Sequence, residues 1–380
     1  MGAKWRSLLA QHEGTKPLPA ASLTKLATTL LALEKWRPDY KFITRVGVTG
    51  PIQDGVLNGD LVFFGGADPM FVWESAVAVG NSLNQLGIRE VTGNLVVDGV
   101  FVMNFERDRD YAAELLRQGL DSASWGPEVT AQYSQLPPGT PKPQVKIRGQ
   151  ALVLEGFDKS SAMIVAEHHS FQLQELLKLM NMYSNNIMAE LLADLLGGAA
   201  AMEKGVVMQT GVGPEEVKFI NGSGLGEENL ISPRATCRVM DVIGNQLKPH
   251  GLGLKDVLPI VPVDQGTLHD RALPAGLIGK TGTLATVSNL AGVLPLGAEP
   301  ALSLEQPNSV CFAIQNYGAD LDYFYQQQEA VIQELNAAKP GAATVSGVPA
   351  NAQAVSQNMT PENITPENIT PENMTLQSQE

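Results

Sequence analysis

Apolar residues recur at helical spacing near the start of the chain. They occupy positions between Leu23 and Leu33, and Pro38 follows soon after Trp36. Apolar residues three and four positions apart form one face of an α-helix, and a proline just beyond such a pattern is a typical stop signal. The pattern therefore predicts a helix over residues 23–33 that closes near Trp36.

A different pattern follows over residues 42–156. Short apolar runs, such as 61–64 and 94–97, are separated by clusters of glycine and proline, which is typical of strands joined by turns. One helical stretch interrupts them at 77–86, and a further pair of strands is predicted at 145–154. This part of the chain is therefore predicted to be rich in β-structure.

Helical spacing returns at 171–196 and again at 323–335. Between these two stretches, the apolar runs at 278–294 and 309–316 predict strands. The β-rich region thus separates the first helix from later helices and strands. This order of elements predicts one α/β domain interrupted by a second unit.

The end of the chain has no pattern from which a core could be built. From about Pro340 onward Ala, Gly, Ser, Asn, Gln and Pro dominate, and aromatic residues are absent. The run Thr-Pro-Glu-Asn-Ile begins at Thr360 and recurs at Thr365 and Thr370 with a five-residue period that matches no packed repeat unit. We therefore expect residues 339–380 to form a disordered tail.

Composition and charge exclude several classes of protein. The chain has 380 residues, enough for about two domains. With 44% hydrophobic and 17% charged residues, its main part is neither disordered nor fibrous. A net charge of -14 would repel nucleic-acid phosphates, so we expect no nucleic-acid partner. No apolar run approaches the roughly 18 residues of a membrane span, so no transmembrane segment is expected.

The cysteines carry little information in the sequence. Cys237 and Cys311 are too few for a disulfide framework, and neither belongs to a CxxC pair or a His-rich cluster. We expect both to be packed thiols. No metal site and no cofactor is predicted.

A possible nucleophile and base stand together at the start of the first predicted helix. Residues three apart on a helix share a face, so the amine of Lys25 can reach the hydroxyl of Ser22. A serine at a helix N-terminus also lies near backbone N–H groups that stabilise negative charge on a substrate oxygen. Taken alone, the pair is explained more simply by a serine N-cap and an exposed lysine.

Two other short motifs are equally weak on their own. Ser184 and Asn186 precede a helical run, but the triplet Ser-x-Asn also begins at Ser82 and at Ser356. A polar helix start would explain it.

The second of these motifs is Lys280-Thr281-Gly282-Thr283, predicted to lie on a strand. Glycine there would let a substrate backbone approach closely, and Lys280 with the hydroxyls of the two threonines could hold a carboxylate. A surface turn with a solvated lysine is the alternative.

In combination the three motifs are specific. Ser-x-x-Lys, Ser-x-Asn and Lys-Thr-Gly, in this order, form the signature of penicillin-binding proteins and serine β-lactamases. Beyond the motifs, the chain resembles the low-molecular-mass D-alanyl-D-alanine carboxypeptidase/endopeptidase family that has a long insertion between the first two motifs. The stretches that carry this resemblance are 61–69, 94–98, 221–225, 266–268 and 279–283.

The resemblance covers residues 16–335 and implies a fold. The family has a β-lactamase/transpeptidase-like domain, an antiparallel sheet with flanking helices, which a β-rich domain interrupts. The implied divisions are a catalytic domain at 1–45 and 165–338, an inserted domain at 46–164 with a small nested unit near 137–156, and the tail at 339–380.

The resemblance also implies a reaction. A serine-type D-Ala-D-Ala carboxypeptidase, or an endopeptidase, would act on peptidoglycan stem peptides through an acyl-enzyme on Ser22. Lys25 would accept the serine proton, Ser184 would relay it to the departing amine, and Asn186 would hold the substrate amide. β-Lactams would inhibit the enzyme covalently.

The same resemblance assigns the third motif to binding. Lys280, Thr281 and Thr283 would hold the terminal carboxylate beside Gly282, and the N–H groups of Ser22 and Thr283 would form the oxyanion hole. A buried Lys25 near the cation of Lys280 is expected to have a lowered pKa.

The start of the chain departs from the family pattern. An export signal needs a hydrophobic stretch of about 7 to 15 residues, whereas the apolar run after Arg6 covers only 8–10. The family normally has such a signal, and a strand or two, before its serine. From the family we expect a periplasmic or otherwise extracytoplasmic protein, and we expect its recorded start to be shortened. A non-catalytic wall-binding homologue and a serine β-lactamase remain the alternatives.

Overall fold

The computed structural model describes residues 8–295 and 309–337, together with the backbone of 374–376. These residues form two compact units. The first unit comprises 8–39 and 173–337, and the second comprises 40–172 with 374–376. Among the helices of this described part, each is too short or too polar to cross a membrane.

Helices and strands are numbered in chain order. The α-helices of the described residues are α1 (Thr24–Lys35), α2 (Trp73–Gln85), α3 (Arg109–Leu120), α4 (Pro127–Tyr133), α5 (Leu173–Met182), α6 (Asn186–Leu195), α7 (Ala199–Thr210), α8 (Pro233–Leu247) and α9 (Leu321–Ala337). The strands are β1 (Leu18–Pro19), β2 (Ile43–Val48), β3 (Ile52–Gln53), β4 (Val56–Leu57), β5 (Leu61–Gly66), β6 (Glu90–Val91), β7 (Leu95–Val100), β8 (Lys146–Ile147), β9 (Ala151–Leu154), β10 (Met163–His169), β11 (Val217–Lys218), β12 (Leu230–Ile231), β13 (Ile278–Leu284), β14 (Val287–Pro295), β15 (Ser309–Tyr317) and β16 (Met374–Leu376).

Helix α1 is the central helix of the first unit. Every residue from Thr24 to Leu33 is buried, because α5, α6, α7 and α8 all pack against it. The sequence predicted this helix. It did not predict α7 or α8, although α8 begins with a clear signal: the side chain of Ser232 accepts a hydrogen bond from the N–H of Ala235, and a proline occupies the first helical position.

An antiparallel sheet, β13-β14-β15, completes this unit. Strand β14 lies in the middle and is buried along its whole length. Helices α8 and α9 pack on the sheet. The predicted fold class, an antiparallel sheet with flanking helices, is thereby confirmed.

A disulfide joins α8 to β15, and here the sequence prediction is wrong. Cys237 and Cys311 are bonded to each other, with a Cα–Cα distance of 6.0 Å and a sequence separation of 74. The two residues meet because α8 packs against β15. A contact made by tertiary packing leaves no trace in the local sequence around either cysteine.

The second unit is an α/β structure rather than a purely β-rich one. Its main sheet has the order β16-β10-β2-β5-β7-β9, in which β5, β7 and β9 run parallel. Parallel neighbours need crossover connections, and these contain α2, α3 and α4. The sequence predicted only the first of the three helices. A small sheet, β3-β4-β6-β8, lies in the same unit.

The predicted divisions differ from the observed ones. Strands β2 and β10 pair with each other within the second unit, so the chain changes unit near residues 39 and 172 and not near 45 and 164. Strands β8 and β9 join the sheets just described, so they do not form the nested unit expected near 137–156. In the tail, Met374–Leu376 pairs with β10, so the prediction of disorder is wrong for these three residues. The remaining tail lies outside the described residues.

Candidate active site

The first motif places a serine and a lysine in hydrogen-bonding contact. Ser22 lies in the 3₁₀ turn Ala21–Leu23, here called the serine turn, directly before α1. The Nζ atom of Lys25 lies 3.0 Å from the Oγ atom of Ser22. Lys25 is completely buried, whereas Ser22 is half-buried. Ala21 has a φ of 45°, in the left-handed region that residues other than glycine rarely adopt, and such backbone strain is common at functional sites.

Burial tunes this lysine toward neutrality. The Nζ atom of Lys25 also donates to the Oδ1 atom of Asn186 at 2.8 Å and to the carbonyl oxygen of Ser223 at 2.7 Å. Desolvation lowers the pKa of Lys25 to about 7, and the negative charge of Glu190 acts in the opposite direction. Near neutral pH, a large fraction of Lys25 can therefore accept a proton.

Glu190 is a site residue that the sequence reasoning missed. It lies on α6, one turn after Asn186, and its carboxylate accepts hydrogen bonds from the N–H of Gly222 at 3.2 Å and of Ser223 at 3.1 Å. It therefore fixes the loop whose carbonyl binds Lys25. The spacing of four residues from Asn186 on one helix was the available signal.

A hydrogen bond between Lys280 and Ser184 links the third motif to the second. Ser184 lies between α5 and α6 with a φ of 55°, and the Nζ atom of Lys280 donates to its Oγ atom at 2.9 Å. Lys280 is completely buried and also donates to the carbonyl oxygen of Thr281 at 2.9 Å. Burial, together with the nearby charge of Lys25, holds the pKa of Lys280 well below its usual value.

The hydrogen bonds of Lys25 and Ser184 bear on the predicted proton relay. In the described part of the chain, Lys25 bonds to Ser22, Asn186 and Ser223, while Ser184 bonds to Lys280. Ser184 is thus hydrogen-bonded to Lys280 and not directly to Lys25 among these described bonds.

The third motif lies on β13, as predicted. The hydroxyl of Thr281 donates to that of Thr267 at 2.8 Å, and Thr267 belongs to the stretch 266–268 that carried part of the resemblance. Thr283 is exposed. Its Oγ1 atom lies 3.4 Å from the hydroxyl of Tyr325, on α9.

Gly282 lets β13 pack closely against the serine turn. A Cβ atom at this position would lie 2.8 Å from the carbonyl oxygen of Ala20 and 3.2 Å from the N atom of Ser22. Opposite it on β14, Asn289 donates through Nδ2 to the carbonyl oxygens of Pro19 and Ala20, both at 2.9 Å. The two strands therefore position the turn that carries Ser22. The sequence predicted only that Gly282 would let a substrate approach the strand, so this packing role is additional.

All eight residues predicted for the site come together in the first unit. Ser22, Lys25 and Asn186 form one hydrogen-bonded group, and Ser184 and Lys280 form another, with Thr281, Gly282 and Thr283 continuing along β13. A cluster of metal-ligating side chains is not found in the residues that the structure describes.

This fold and this arrangement of serines and lysines define an enzyme of the penicillin-binding, active-site-serine class. The model of the D-Ala-D-Ala carboxypeptidase 3 (S13) family matches residues 3–120 and 144–337, and the chain belongs to that family. The predicted family is therefore confirmed, as is the predicted serine-type D-Ala-D-Ala carboxypeptidase activity.

Individual relatives agree with this assignment. The D-alanyl-D-alanine carboxypeptidase DacB of Haemophilus influenzae is 24% identical over 385 residues, which cover 76% of this chain and 79% of the relative. A D-alanyl-D-alanine carboxypeptidase from an Actinomadura species is 30% identical over 171 residues, covering 40% of this chain and 31% of the relative.

Solved structures share the fold. A predatory endopeptidase of Bdellovibrio bacteriovorus, in complex with an immunity protein, has a TM-score of 0.73 at 22% identity and covers 91% of this chain and 94% of its own. Penicillin-binding protein 4 of Haemophilus influenzae, complexed with a β-lactam, has a TM-score of 0.65 at 19% identity, with coverages of 86% and 93%.

Proposed function

We propose that this enzyme removes the terminal D-alanine of peptidoglycan stem peptides through an acyl-enzyme on Ser22. The observation that carries the proposal is the buried Lys25, whose Nζ atom lies 3.0 Å from the Ser22 Oγ atom and whose pKa is lowered to about 7. A neutral amine at hydrogen-bonding distance is what a serine hydroxyl needs to become a nucleophile at neutral pH.

Acylation would begin with transfer of the Ser22 proton to Lys25. The serine oxygen then bonds to the penultimate D-alanine carbonyl carbon, and the N–H groups of Ser22 and Thr283 stabilise the negative oxygen. Asn186 supports this step in two ways. Its Oδ1 atom accepts from Lys25, which leaves its amide N–H groups to hold the substrate's amide.

Departure of D-alanine needs a proton on the leaving nitrogen as the C–N bond breaks. Ser184 is the donor we favour, because its hydroxyl, held by Lys280, can pass its proton to this nitrogen and take up the one that Lys25 removed from Ser22. Lys25 is then neutral again. Water attacks the acyl-enzyme, and Lys25 takes the water proton and returns it to the Ser22 oxygen as the bond between that oxygen and the acyl carbon breaks.

The carboxylate of the leaving residue would bind along β13. Lys280 is buried there, and the hydroxyls of Thr281 and Thr283 belong to the same strand. A bound carboxylate stabilises the protonated form of Lys280 and thus offsets the effect of burial on its pKa. All these groups belong to the first unit, which we assign as the catalytic domain, with the second unit as the inserted domain.

We infer that the enzyme works outside the cytoplasm, in the periplasm. Disulfides persist in oxidising compartments and are rare in the cytosol, so the Cys237–Cys311 bond supports this location. Peptidoglycan, the proposed substrate, lies in the same compartment.

Labelling with a fluorescent penicillin tests the assignment of the nucleophile. Mass spectrometry of the digested adduct is expected to place one label on the peptide that contains Ser22. Ser22→Ala should abolish the label, whereas Ser82→Ala, a variant of a serine in the second unit, should retain it.

The alternatives give different results in the same experiment. A folded protein that takes no label would support the non-catalytic homologue, and a label that survives Ser22→Ala would contradict the mechanism. Fast release of the penicilloyl group would indicate a β-lactamase. Release of D-alanine from a pentapeptide, measured beside cleavage of a cross-linked dimer, separates carboxypeptidase from endopeptidase action.

A further inference from the structure

A tyrosine from the last helix lies beside the exposed end of the third motif. The hydroxyl of Tyr325 is 3.4 Å from the Oγ1 atom of Thr283. Hydroxyl-to-hydroxyl bonds normally measure about 2.5–3.0 Å, so these two groups are only loosely bonded to each other. An anionic oxygen placed between them could accept a short hydrogen bond from each.

The aromatic ring of Tyr325 is held by a cation. The guanidinium carbon of Arg271 lies 4.4 Å from the ring centroid, close enough for a cation–π contact. Arg271 is itself fixed, because it donates to Glu329 at 2.6 Å, to Gln328 at 3.1 Å and to the Tyr325 carbonyl at 3.4 Å. Arg271 therefore packs its positive charge against one face of the Tyr325 ring and holds the ring in place.

The helix that carries Tyr325 is anchored to the catalytic sheet one turn further on. Gln328 is completely buried and donates to both the carbonyl and the hydroxyl oxygen of Ser288, at 2.9 and 3.0 Å, and to the Oδ1 atom of Asn316 at 2.9 Å. These bonds tie α9 to β14 and β15. The position of the Tyr325 hydroxyl is thus set before any substrate binds, which favours recognition of a ligand of fixed shape.

We propose that Tyr325 is a specificity residue that donates a hydrogen bond to the carboxylate of the leaving residue. The carboxylate would lie between the hydroxyls of Thr283 and Tyr325, with the charge of Arg271 behind the ring. This inference rests on the proposed function, because it extends the carboxylate site of that function by one residue from α9. A substrate without the carboxylate would gain nothing from Tyr325.

The test uses two substrates that differ only in this group. One is an N-acyl-D-alanyl thioester whose leaving group ends in a carboxylate, and the other is the methyl ester of the same compound. For Tyr325→Phe, kcat/KM for the substrate with the carboxylate should fall about tenfold, because a hydrogen bond to a charged group is lost. For the methyl ester, kcat/KM should stay within about twofold of the wild-type value. The phenylalanine ring preserves the contact with Arg271.

A second variant on the same helix provides the matched control. Tyr323 is 53% exposed, and Tyr323→Phe should change neither rate. Equal losses of Tyr325→Phe on both substrates, or no loss on either, would overturn the inference. If the proposed function itself were wrong, the wild-type protein would release thiol from neither substrate and would form no penicillin adduct on Ser22.

Discussion

At the scale of single residues, burial sets the protonation of the two lysines to which we assign the chemistry. Lys25 and Lys280 are both fully buried, and no described hydrogen bond pairs either of them with a carboxylate. Burial shifts each of them toward its neutral form, since an unpaired buried charge is costly. Burial is therefore the device that makes a lysine into a base near neutral pH.

The acylation rate should depend on pH through Lys25. Because its pKa is lowered to about 7, the neutral fraction of Lys25 falls about tenfold per pH unit below that value and is nearly constant above it. The second-order rate of Ser22 labelling by penicillin, measured from pH 5.5 to about 9, should follow this curve. A midpoint near the ordinary lysine value would contradict the role of Lys25 as base.

Removing the charge of Glu190 should shift that midpoint downward. Its negative charge raises the pKa of Lys25, so Glu190→Gln should move the acid limb of the acylation profile to lower pH. The same pH series on the variant measures the shift.

Glu203→Gln is the matched control for this variant. Glu203 also fixes a backbone N–H, that of Phe219 at 2.7 Å, but it is not among the groups that shift the pKa of Lys25. The midpoint of this variant should stay at the wild-type value. An unmoved midpoint in Glu190→Gln, or one displaced upward, would show that Glu190 only supports the loop.

At the scale of elements, the close packing of β13 on the serine turn should be sensitive to a single methyl group. In Gly282→Ala the new Cβ atom would lie 2.8 Å from the Ala20 carbonyl oxygen, so the turn carrying Ser22 must move. Displacements of about 1 Å can cost roughly a hundredfold in rate, and overpacking costs about 1–3 kcal/mol of stability. Penicillin acylation and thermal unfolding measure the two effects.

A glycine elsewhere in the same unit is the appropriate comparison. Gly244 lies in α8, and the nearest atom to an added Cβ is 3.9 Å away on Leu254. Gly244→Ala should keep the wild-type acylation rate and raise stability by about 0.5–1 kcal/mol, because alanine favours the helix. Wild-type acylation in Gly282→Ala would mean that the strand and the turn are not coupled.

The elements also show what the sequence could and could not predict. Helix α1, the strands of the catalytic sheet and the contact of Ser22 with Lys25 follow from periodicity and i,i+3 spacing, which are local properties of the chain. The roles of Asn289 and Tyr325 depend on which strands and helices pack together. Those neighbours come from distant parts of the chain, so local spacing carries no signal for them.

At the scale of the whole molecule, the catalytic unit is built from two separate stretches of chain. The serine turn and α1 precede the second unit, while every other group of the site follows it. The fold of this unit thus depends on contacts across a long sequence separation, such as the hydrogen bond between Lys25 and Asn186, which are 161 positions apart. Closing such a loop costs entropy, which packing and cross-links must offset.

The disulfide should stabilise this unit without taking part in the chemistry. The double variant Cys237→Ser and Cys311→Ser removes a cross-link between residues 74 apart, and such a loss typically costs about 2–4 kcal/mol. Denaturant unfolding should show a lower midpoint for the variant than for the oxidised wild-type protein. Treatment of the wild-type protein with a reductant should lower its midpoint to that of the variant.

Activity provides the control, because neither cysteine is among the hydrogen-bonding partners of Ser22, Lys25 or Lys280. Below its unfolding midpoint, the double variant should still be labelled by penicillin at close to the wild-type rate. A labelling rate that collapses while the protein stays folded would mean that the cross-link between α8 and β15 also shapes the site. Equal unfolding midpoints with and without reductant would mean that the bond contributes nothing to stability.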